Sequence, residues 1–372
     1  MKKYISIILV LVMSVALISC SGGNSGSPGS NSEGTGSGNT QSSGSGSNTP
    51  AQSGGADAKG EVLVIKFSTA SAAAPGSPRD LKYKLFMELV EKNSGGTMTV
   101  DFLAPGAVVA TEREMTEAVQ LGLIDIGTGS DLGIDGVVGG LGWAWLPYMF
   151  TTYEEADRYY NNGWIKDELT RIMGESGLIK IAGYETDFRV VGSATKPITT
   201  LSDFRGVKIR VAEVPELLRF YELAGALSVA IAASETLTAL TQGTIDAVDN
   251  SAVNLYNSGV IPSMKYITVT NHMYCGGSFI ANPTFWNNLT AEQQKIVQEA
   301  AVEAGALHFV EARKQTESLL YGAEKEDYNY EVLPVSDELD ASLREIAMKV
   351  WEEFYDKYPS EIMDRVFADF GK

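Results

Sequence analysis

The sequence predicts an α/β protein built as two lobes around a cleft. Three observations carry the prediction. Strands and helices alternate from Val62 onward, one helix–glycine–strand unit is written twice, and a late helix is too long for one lobe.

Residues 62–67 form an apolar run of strand length. Ser77-Pro78 then opens a helix, with serine as N-cap and proline at the first helical position. Leu81, Leu85 and Leu89 share one face of it, and Ser94-Gly95-Gly96 stops it. Residues 98–103 read as the second strand. Thr111-x-x-Glu114 is a capping box for a helix running to Leu121. Gly122 can end that helix in the left-handed conformation, so 123–126 reads as the next strand. Further strands are expected at 178–182 and 207–211.

The repeated unit is Ala118-Val119-x-x-Gly122-x-Ile124-Asp125, which returns as Ala239-Leu240-x-x-Gly243-x-Ile245-Asp246. Glu114 and Glu235 precede the two alanines at the same spacing. Building one unit twice fits two similar lobes, and two lobes imply a cleft. Near the C-terminus, Thr290-x-x-Gln293 caps a helix that can continue to Tyr321, with Gly305 its one internal glycine. About thirty residues make a rod of about 45 Å. A lobe of about 100 residues has a radius of gyration near 13 Å, so such a helix overhangs one lobe and braces both unless Gly305 kinks it. Leu339, Leu343, Ile346, Val350 and Phe354 then mark one stripe of a last helix.

The front of the chain reads as an address. Lys2 and Lys3 precede an apolar run from Ile5 to Leu17, shorter than the roughly 20 residues a stable span needs. Leu17-Ile18-Ser19-Cys20 fits a lipobox, so residues 1–20 are expected to be a lipoprotein signal peptide with Cys20 the lipidated thiol. Residues 21–59 are dominated by Gly, Ser, Asn and Thr, a composition that stays a flexible linker. The expected location is extracytoplasmic, tethered to the cell envelope and not embedded in it.

Composition excludes several classes. With 29 basic and 47 acidic residues the formal charge is −18, against a nucleic-acid partner. The chain has two cysteines; once Cys20 carries lipid, Cys275 has no partner and no internal disulfide is expected. His272 and His308 lack metal-type spacing, and packed or solvated rings are the default. There is no G-x-x-x-x-G-K-[ST], G-x-S-x-G or H-E-x-x-H. Gly127-Thr128-Gly129-Ser130-Asp131-Leu132-Gly133 imitates a dinucleotide loop, but leucine stands where the third glycine belongs. No enzyme, no cofactor and no metal are expected.

Arginines remain as candidates. Val207, Ile209 and Val211 alternate with Lys208 and Arg210, placing Lys208 and Arg210 on the polar face of a strand. Arg189 follows the strand at 178–182. An arginine at a cleft edge can grip a carboxylate through two parallel charge-assisted bonds. Equally, both arginines can be surface ion-pair partners in an acid-rich chain. Trp143 and Trp145 alternate with Ala144 on a stretch read as extended, where they either line the cleft or belong to the core. Ser71 and Asp131, at strand ends, are either ligand contacts or caps.

From Val62 to Ala306 the chain resembles the substrate-binding subunits of TRAP (tripartite ATP-independent periplasmic) transporters. Val207-Lys208-Ile209-Arg210-Val211 is similar to that family's arginine-bearing strand. Ala233-Ser234-Glu235 through Gly243-Thr244-Ile245-Asp246-Ala247-Val248-Asp249-Asn250 is similar to its helix-to-strand motif ending in asparagine. Leu146-Pro147-Tyr148 and Pro105-Gly106 through Glu112-Arg113-Glu114-Met115 match two further segments. The resemblance implies a two-lobed periplasmic-binding-protein-like fold with interlobe strands, a brace helix and closure on ligand. The lobes would be 60–186 plus 276–372, and 187–275. It also implies that Arg210 holds a carboxylate, with Arg189 a second contact and Asn250 nearby. The implied partners are a small organic acid and an ion-driven membrane permease, the chain itself being a monomer.

The chain departs from the pattern at six positions. Ala247, Val248, Asp249 and Ser251 surround the asparagine where glycine, glutamine, glutamate and proline are usual, and Ala233 replaces an aromatic. Asp187 replaces a glycine two residues before Arg189. These changes predict an altered pocket, for a monocarboxylate with a bulky or apolar body. Two other readings stay open from sequence: a sensor presenting the same ligand to a membrane receptor, and a secreted hydrolase or lyase using cleft carboxylates.

Overall fold

The computed structural model describes residues 62–371. The expected signal peptide, Cys20 and the linker lie outside the described residues.

The chain first builds β1 (Leu63–Ser68), α1 (Pro78–Asn93), β2 (Met98–Leu103), α2 (Glu112–Gln120), β3 (Ile126–Ser130) and α3 (Asp131–Val138). A 3-10 turn (Gly142–Trp145), α4 (Tyr153–Ala156), a π turn (Asp157–Asn161) and α5 (Trp164–Glu175) lead to the long strand β4 (Ile179–Ser193). Next come β5 (Lys208–Val211), α6 (Pro215–Leu223), β6 (Leu227–Ala230), α7 (Thr236–Thr241), β7 (Ala247–Ser251), α8 (Ala252–Asn257) and β8 (Tyr266–Val269). The return path is β9 (Tyr274–Ala281), α9 (Pro283–Asn288), α10 (Ala291–Tyr321), α11 (Ala323–Glu326), β10 (Glu331–Pro334), α12 (Asp337–Phe354) and α13 (Ser360–Phe370).

Strand β4 joins two sheets. Up to Phe188 it pairs antiparallel with β9, which extends the parallel set to the order β2-β1-β3-β9-β4. From Arg189 it pairs with β7 and, from Val191, with β8, giving β10-β8-β4-β7-β5-β6. The two lobes thus share one continuous strand, and the sequence reading had seen its first residues alone.

The change of partner has a local cause. The register slips between Glu185 and Asp187, and Asp187 sits at φ +74°, a left-handed conformation that a non-glycine residue adopts at a cost. Its buried carboxylate accepts hydrogen bonds from Tyr153 Oη and Phe188 N, both at 2.6 Å, and from the Thr316 hydroxyl of α10. Those three bonds offset the strain that a glycine would avoid.

The repeated sequence unit does the same job twice. Asp125 Oδ2 accepts from Lys66 N at 2.8 Å, and Asp246 Oδ2 accepts from Lys208 N at 3.0 Å. Gly122 and Gly243 precede them at φ +73° and +70°, turning each chain back beside its parallel neighbour. The first of these strands begins at Ile126, not at Leu123, because the turn itself uses the intervening residues.

Helix α10 carries its capping box, with Thr290 and Gln293 reciprocally bonded, and runs unbroken through Gly305. A Cβ at 305 would stand 2.3 Å from Gly183 O, so this glycine serves a close approach to β4 and not a kink. The helix packs on α1 and β4 and reaches α8, touching both lobes as expected of a brace. In α1 the buried face is Lys82, Tyr83, Phe86, Leu89 and Val90, a set rotated from the leucines singled out in sequence. The stripe Leu339, Leu343, Ile346, Val350 and Phe354 of α12 is buried as predicted. Within 276–372, β10 is parallel to β8 on the outer edge of the second sheet, and α12 packs against α6.

Candidate ligand-binding site

The predicted arginines gather where the two sheets meet, and they differ in what neutralises them. Arg189 is the first residue of β4 to enter the second sheet. Its Nε donates to Asp249 Oδ1, and its Nη2 donates to the Asp249 carbonyl at 2.7 Å. Asp249 Oδ2 also lies 3.2 Å from His272 Nε2, and His272 Nδ1 is 2.7 Å from Thr270 Oγ1. Burial pushes the Asp249 carboxyl up, but Arg189 and then His272 outweigh it and hold the group at about 2. Arg189, expected as a second contact, is half of a buried ion pair.

Arg210 has no such partner. It lies in β5 between Val229 of β6 and Val248 of β7, and only 3% of its surface is exposed. Its Nε donates to Ile231 O at 2.8 Å, which fixes the guanidinium plane. Its two Nη groups make no hydrogen bond among the described residues. Burial, then the neighbouring Arg189 charge, brings its pKa down from 12.5 to about 10. Asp249, Glu112 and Glu213 oppose that fall without meeting the guanidinium in an ion pair.

Asn250, half-buried beside Val190, accepts with Oδ1 from Ser251 N at 2.9 Å and from Asn254 Nδ2 at 3.2 Å. Its Nδ2 makes no hydrogen bond among the described residues.

The first lobe contributes residues that sequence reasoning missed. Glu112 opens α2 immediately after the N-cap Thr111, where a carboxylate suits the helix N-terminus. Its Oε1 accepts from Ser71 Oγ at 3.1 Å and Ser130 N at 2.9 Å, and its Oε2 from Ser130 Oγ at 2.5 Å. Gly133 is required beside it, since a Cβ there would meet Glu112 Oε2 at 2.1 Å. The charge of Glu112 reaches both Arg210 and Lys82, so it stands between the lobes' cations. Lys82 is fully buried, with Nζ 3.0 Å from the centre of the Tyr184 ring and 3.4 Å from Thr128 Oγ1. Burial, then Arg79, pushes its ammonium well below the ordinary lysine range. Glu112 was visible as part of a motif, and Lys82 as a lysine interrupting an apolar helix face; neither pattern alone names a role.

Other candidates move away from the site. Trp143 and Trp145 lie on the 3-10 turn, not on an extended stretch, and both are buried in the core. Trp143 stacks on Trp164 with ring centres 5.5 Å apart, and Trp145 Nε1 donates to Tyr160 Oη at 3.0 Å. Asp131 is fully buried and fully used, accepting from Ser278 Oγ at 2.5 Å and Tyr160 Oη at 2.7 Å, with Lys180 Nζ 4.0 Å away. Ser71 remains at the edge of the site as a donor to Glu112. An open surface groove formed by α1, α9 and α10 and lined by Trp286, Lys295 and Val302 involves none of these residues. No group of three or more metal-type ligands occurs among the described residues, and no helix there is long and apolar enough to cross a membrane.

Residues 69–358 match the family model described as bacterial extracellular solute-binding protein, family 7. The chain belongs to that family. Among its relatives, the C4-dicarboxylate-binding periplasmic protein DctP of Rhodobacter capsulatus is 28% identical over 310 residues, covering 83% of this chain and 91% of that one. Among solved structures, the sugar acid binding protein of Advenella mimigardefordensis in complex with galactonate superposes with a TM-score of 0.76 at 24% identity. It covers 84% of this chain and 98% of its own. A TRAP periplasmic solute binding protein of Polaromonas bound to D-erythronate gives 0.73 at 25% identity, covering 82% and 98%. The family's two-lobed fold, with β4 continuous between lobes and α10 as brace, is the fold described above.

Proposed function

We propose that this chain is the extracytoplasmic receptor of a TRAP-type transporter, capturing a small organic carboxylate and delivering it to an ion-driven membrane permease. One observation carries the reading: Arg210 is a buried cation with two unused donor groups and no anion of its own, while its neighbour Arg189 is already neutralised by Asp249. A carboxylate would take two parallel bonds from those donors, each contributing about 1.5–3 kcal/mol net. Asn250 Nδ2 is the second donor in this reading, and Arg189 orders the site from behind.

The ligand's body is polar in this reading. The bulky or apolar body expected from sequence rested on the departures at Ala233 and Val248 together with Trp143 and Trp145, and both tryptophans and Val248 are in the core. On the first-lobe side Glu112 and Ser71 take their place in this reading, and they favour hydroxyl groups. The names of the relatives, a C4-dicarboxylate binder and sugar-acid binders, support the same class. The protein performs no chemistry on what it binds, acts as a monomer, and is held to the envelope by lipid on Cys20.

A thermal-shift panel of succinate, galactonate, erythronate and neutral sugars tests the assignment. A true ligand at 100 times its Kd adds about 2.7 kcal/mol to the folded state and raises Tm accordingly. Acids should shift Tm and neutral sugars should not; bound acid recovered chemically altered would instead favour an enzyme.

A further inference from the structure

Arg79 and Asn254 touch across the lobes, and neither has a role above. Arg79 lies in the first turn of α1, where its Nη1 donates to Ala72 O and its Nη2 to Asn254 Oδ1, both at 2.5 Å. Asn254 belongs to α8 in the second lobe. Beside it, Asn257 Oδ1 accepts from Ala74 N at 3.2 Å, a second bond across the same gap.

A guanidinium carries donors and no acceptor. It therefore fixes which end of the Asn254 amide it meets, namely the oxygen. Asn254 Nδ2 is turned the other way and donates to Asn250 Oδ1 at 3.2 Å. That oxygen also accepts from Ser251 N at 2.9 Å. With its oxygen used twice, Asn250 offers only its Nδ2 donors to anything in front of β7. Asn250 is adjacent in sequence to Asp249, the partner of Arg189, and lies on the strand that pairs with β5 at Arg210.

We infer that Arg79 and Asn254 are positioning residues that set the polarity of the Asn250 contact and tie it to lobe closure. The inference rests on the reading of Asn250 as a ligand contact. Without Arg79 the Asn254 amide is free to turn over, and its oxygen then competes with Ser251 N for the orientation of Asn250, drawing the Asn250 amide group away from the ligand. Asn250 would present its own oxygen to a carboxylate, and like charges on the two acceptors repel. Since Arg79 comes from the opposite lobe, the donor orientation is enforced when the lobes are together. The site is thereby selective for a ligand with an acceptor at this point, and release is slowed by the same bond that holds the lobes.

The test measures association and dissociation by stopped-flow tryptophan fluorescence on the full chain, with succinate or galactonate, whichever raises Tm more. Arg79→Ala should speed dissociation about tenfold, a factor in the ordinary range for coupled sites, and leave association within about twofold. Arg79→Lys, which keeps a donor, should recover most of the loss. On an Asn250→Ala background, Arg79→Ala should have a clearly smaller effect, the part that remains being the interlobe bond itself. An undiminished effect there would make Arg79 an independent contact and overturn the relay. If Arg79→Ala fails to fold by its melting curve, Asn254→Asp decides: it keeps the bond to Arg79 but turns an acceptor toward Asn250, so it should weaken the acid at least as much. Unchanged affinity in Asn254→Asp overturns the inference. The two readings fail separately: lost affinity in Arg210→Lys with none in Asn254→Asp sinks the relay alone. Wild-type affinity in Arg210→Lys, or no binding of either acid, sinks the carboxylate site and the relay with it.

Discussion

Replacing Arg210 by lysine keeps a positive charge and removes the fork. The arginine spends its Nε on Ile231 O and retains two Nη groups pointing with a fixed plane. Lysine has no group to replace the Nε anchor, and its single nitrogen makes one good bond to a carboxylate where the fork makes two. Losing one charge-assisted bond costs about 1.5–3 kcal/mol, which is about 10- to 150-fold in Kd. Protonation adds a second signature. Burial and Arg189 lower the guanidinium from 12.5 to about 10, and the same surroundings would push a lysine, whose ordinary pKa is already lower, further down toward the working pH range. The folded-state pKa of a base is depressed here, so its charge is present at low pH and is lost as pH rises through that lowered pKa. Carboxylate binding needs that charge. The variant's affinity should therefore fall further between pH 7 and pH 9, with a proton taken up on binding at the higher pH, while wild type holds. Calorimetry at both pH values in two buffers of different ionisation enthalpy reads all three effects. A variant within threefold of wild type at both pH values would remove Arg210 from the site.

Three further outcomes follow from the same contacts. Asp249→Asn should lower stability most at neutral pH. A carboxyl held at about 2 instead of 3.8 contributes about 2 kcal/mol, whole above about pH 5 and lost as pH falls through 2, so urea melts should show the gap between wild type and variant shrinking toward pH 2. Gly305→Ala should lower Tm by several degrees, because a Cβ 2.3 Å from Gly183 O must push α10 off β4 at a cost of about 1–3 kcal/mol; an unchanged Tm would mean that the brace does not bear on the crossing strand. Cys20→Ser, expressed in cells, should release the protein from the membrane fraction without altering acid binding in the thermal-shift panel, and continued membrane association would argue against a lipid anchor.

Much of the scaffold was legible because it rests on local chemistry. The capping residues Ser77, Thr111 and Thr290, the glycine turns at 122 and 243 and the stripe of α12 each follow from hydrogen bonding or periodicity within a few residues. The repeated Asp125 and Asp246 were visible as a pattern, though their bonds to Lys66 N and Lys208 N were not. What escaped depends on residues distant in sequence. Strand β4 looked like five residues because its second half draws partners from β7 and β8, more than fifty residues away. Trp143 and Trp145 looked like alternating strand positions, but Trp164 and Tyr160 pull them into the core on a tight turn. Asp187 and Asp249 were noted only as departures from a pattern. One holds a left-handed hinge residue against α10, and the other consumes an arginine.

That consumption gives the site its logic. Two adjacent buried guanidiniums would repel, and closing the lobes over both would desolvate two unpaired charges. Asp249 removes one from the account at the level of the fold, so Arg189 is neutral in effect whether or not ligand is present. Arg210 is left as a charge whose burial is incompletely compensated, with Glu112 acting on it from the opposite lobe while tied to Ser71 and Ser130. In the proposed reading a carboxylate at Arg210 would supply the missing anion, and its attraction would strengthen as closure excludes water. A neutral solute of the same shape supplies none, and the lobes close over it only against the desolvation of a cation. On the proposed reading, discrimination between acids and neutral solutes would therefore follow from charge balance in the closed form, before any contact to the body of the ligand is counted.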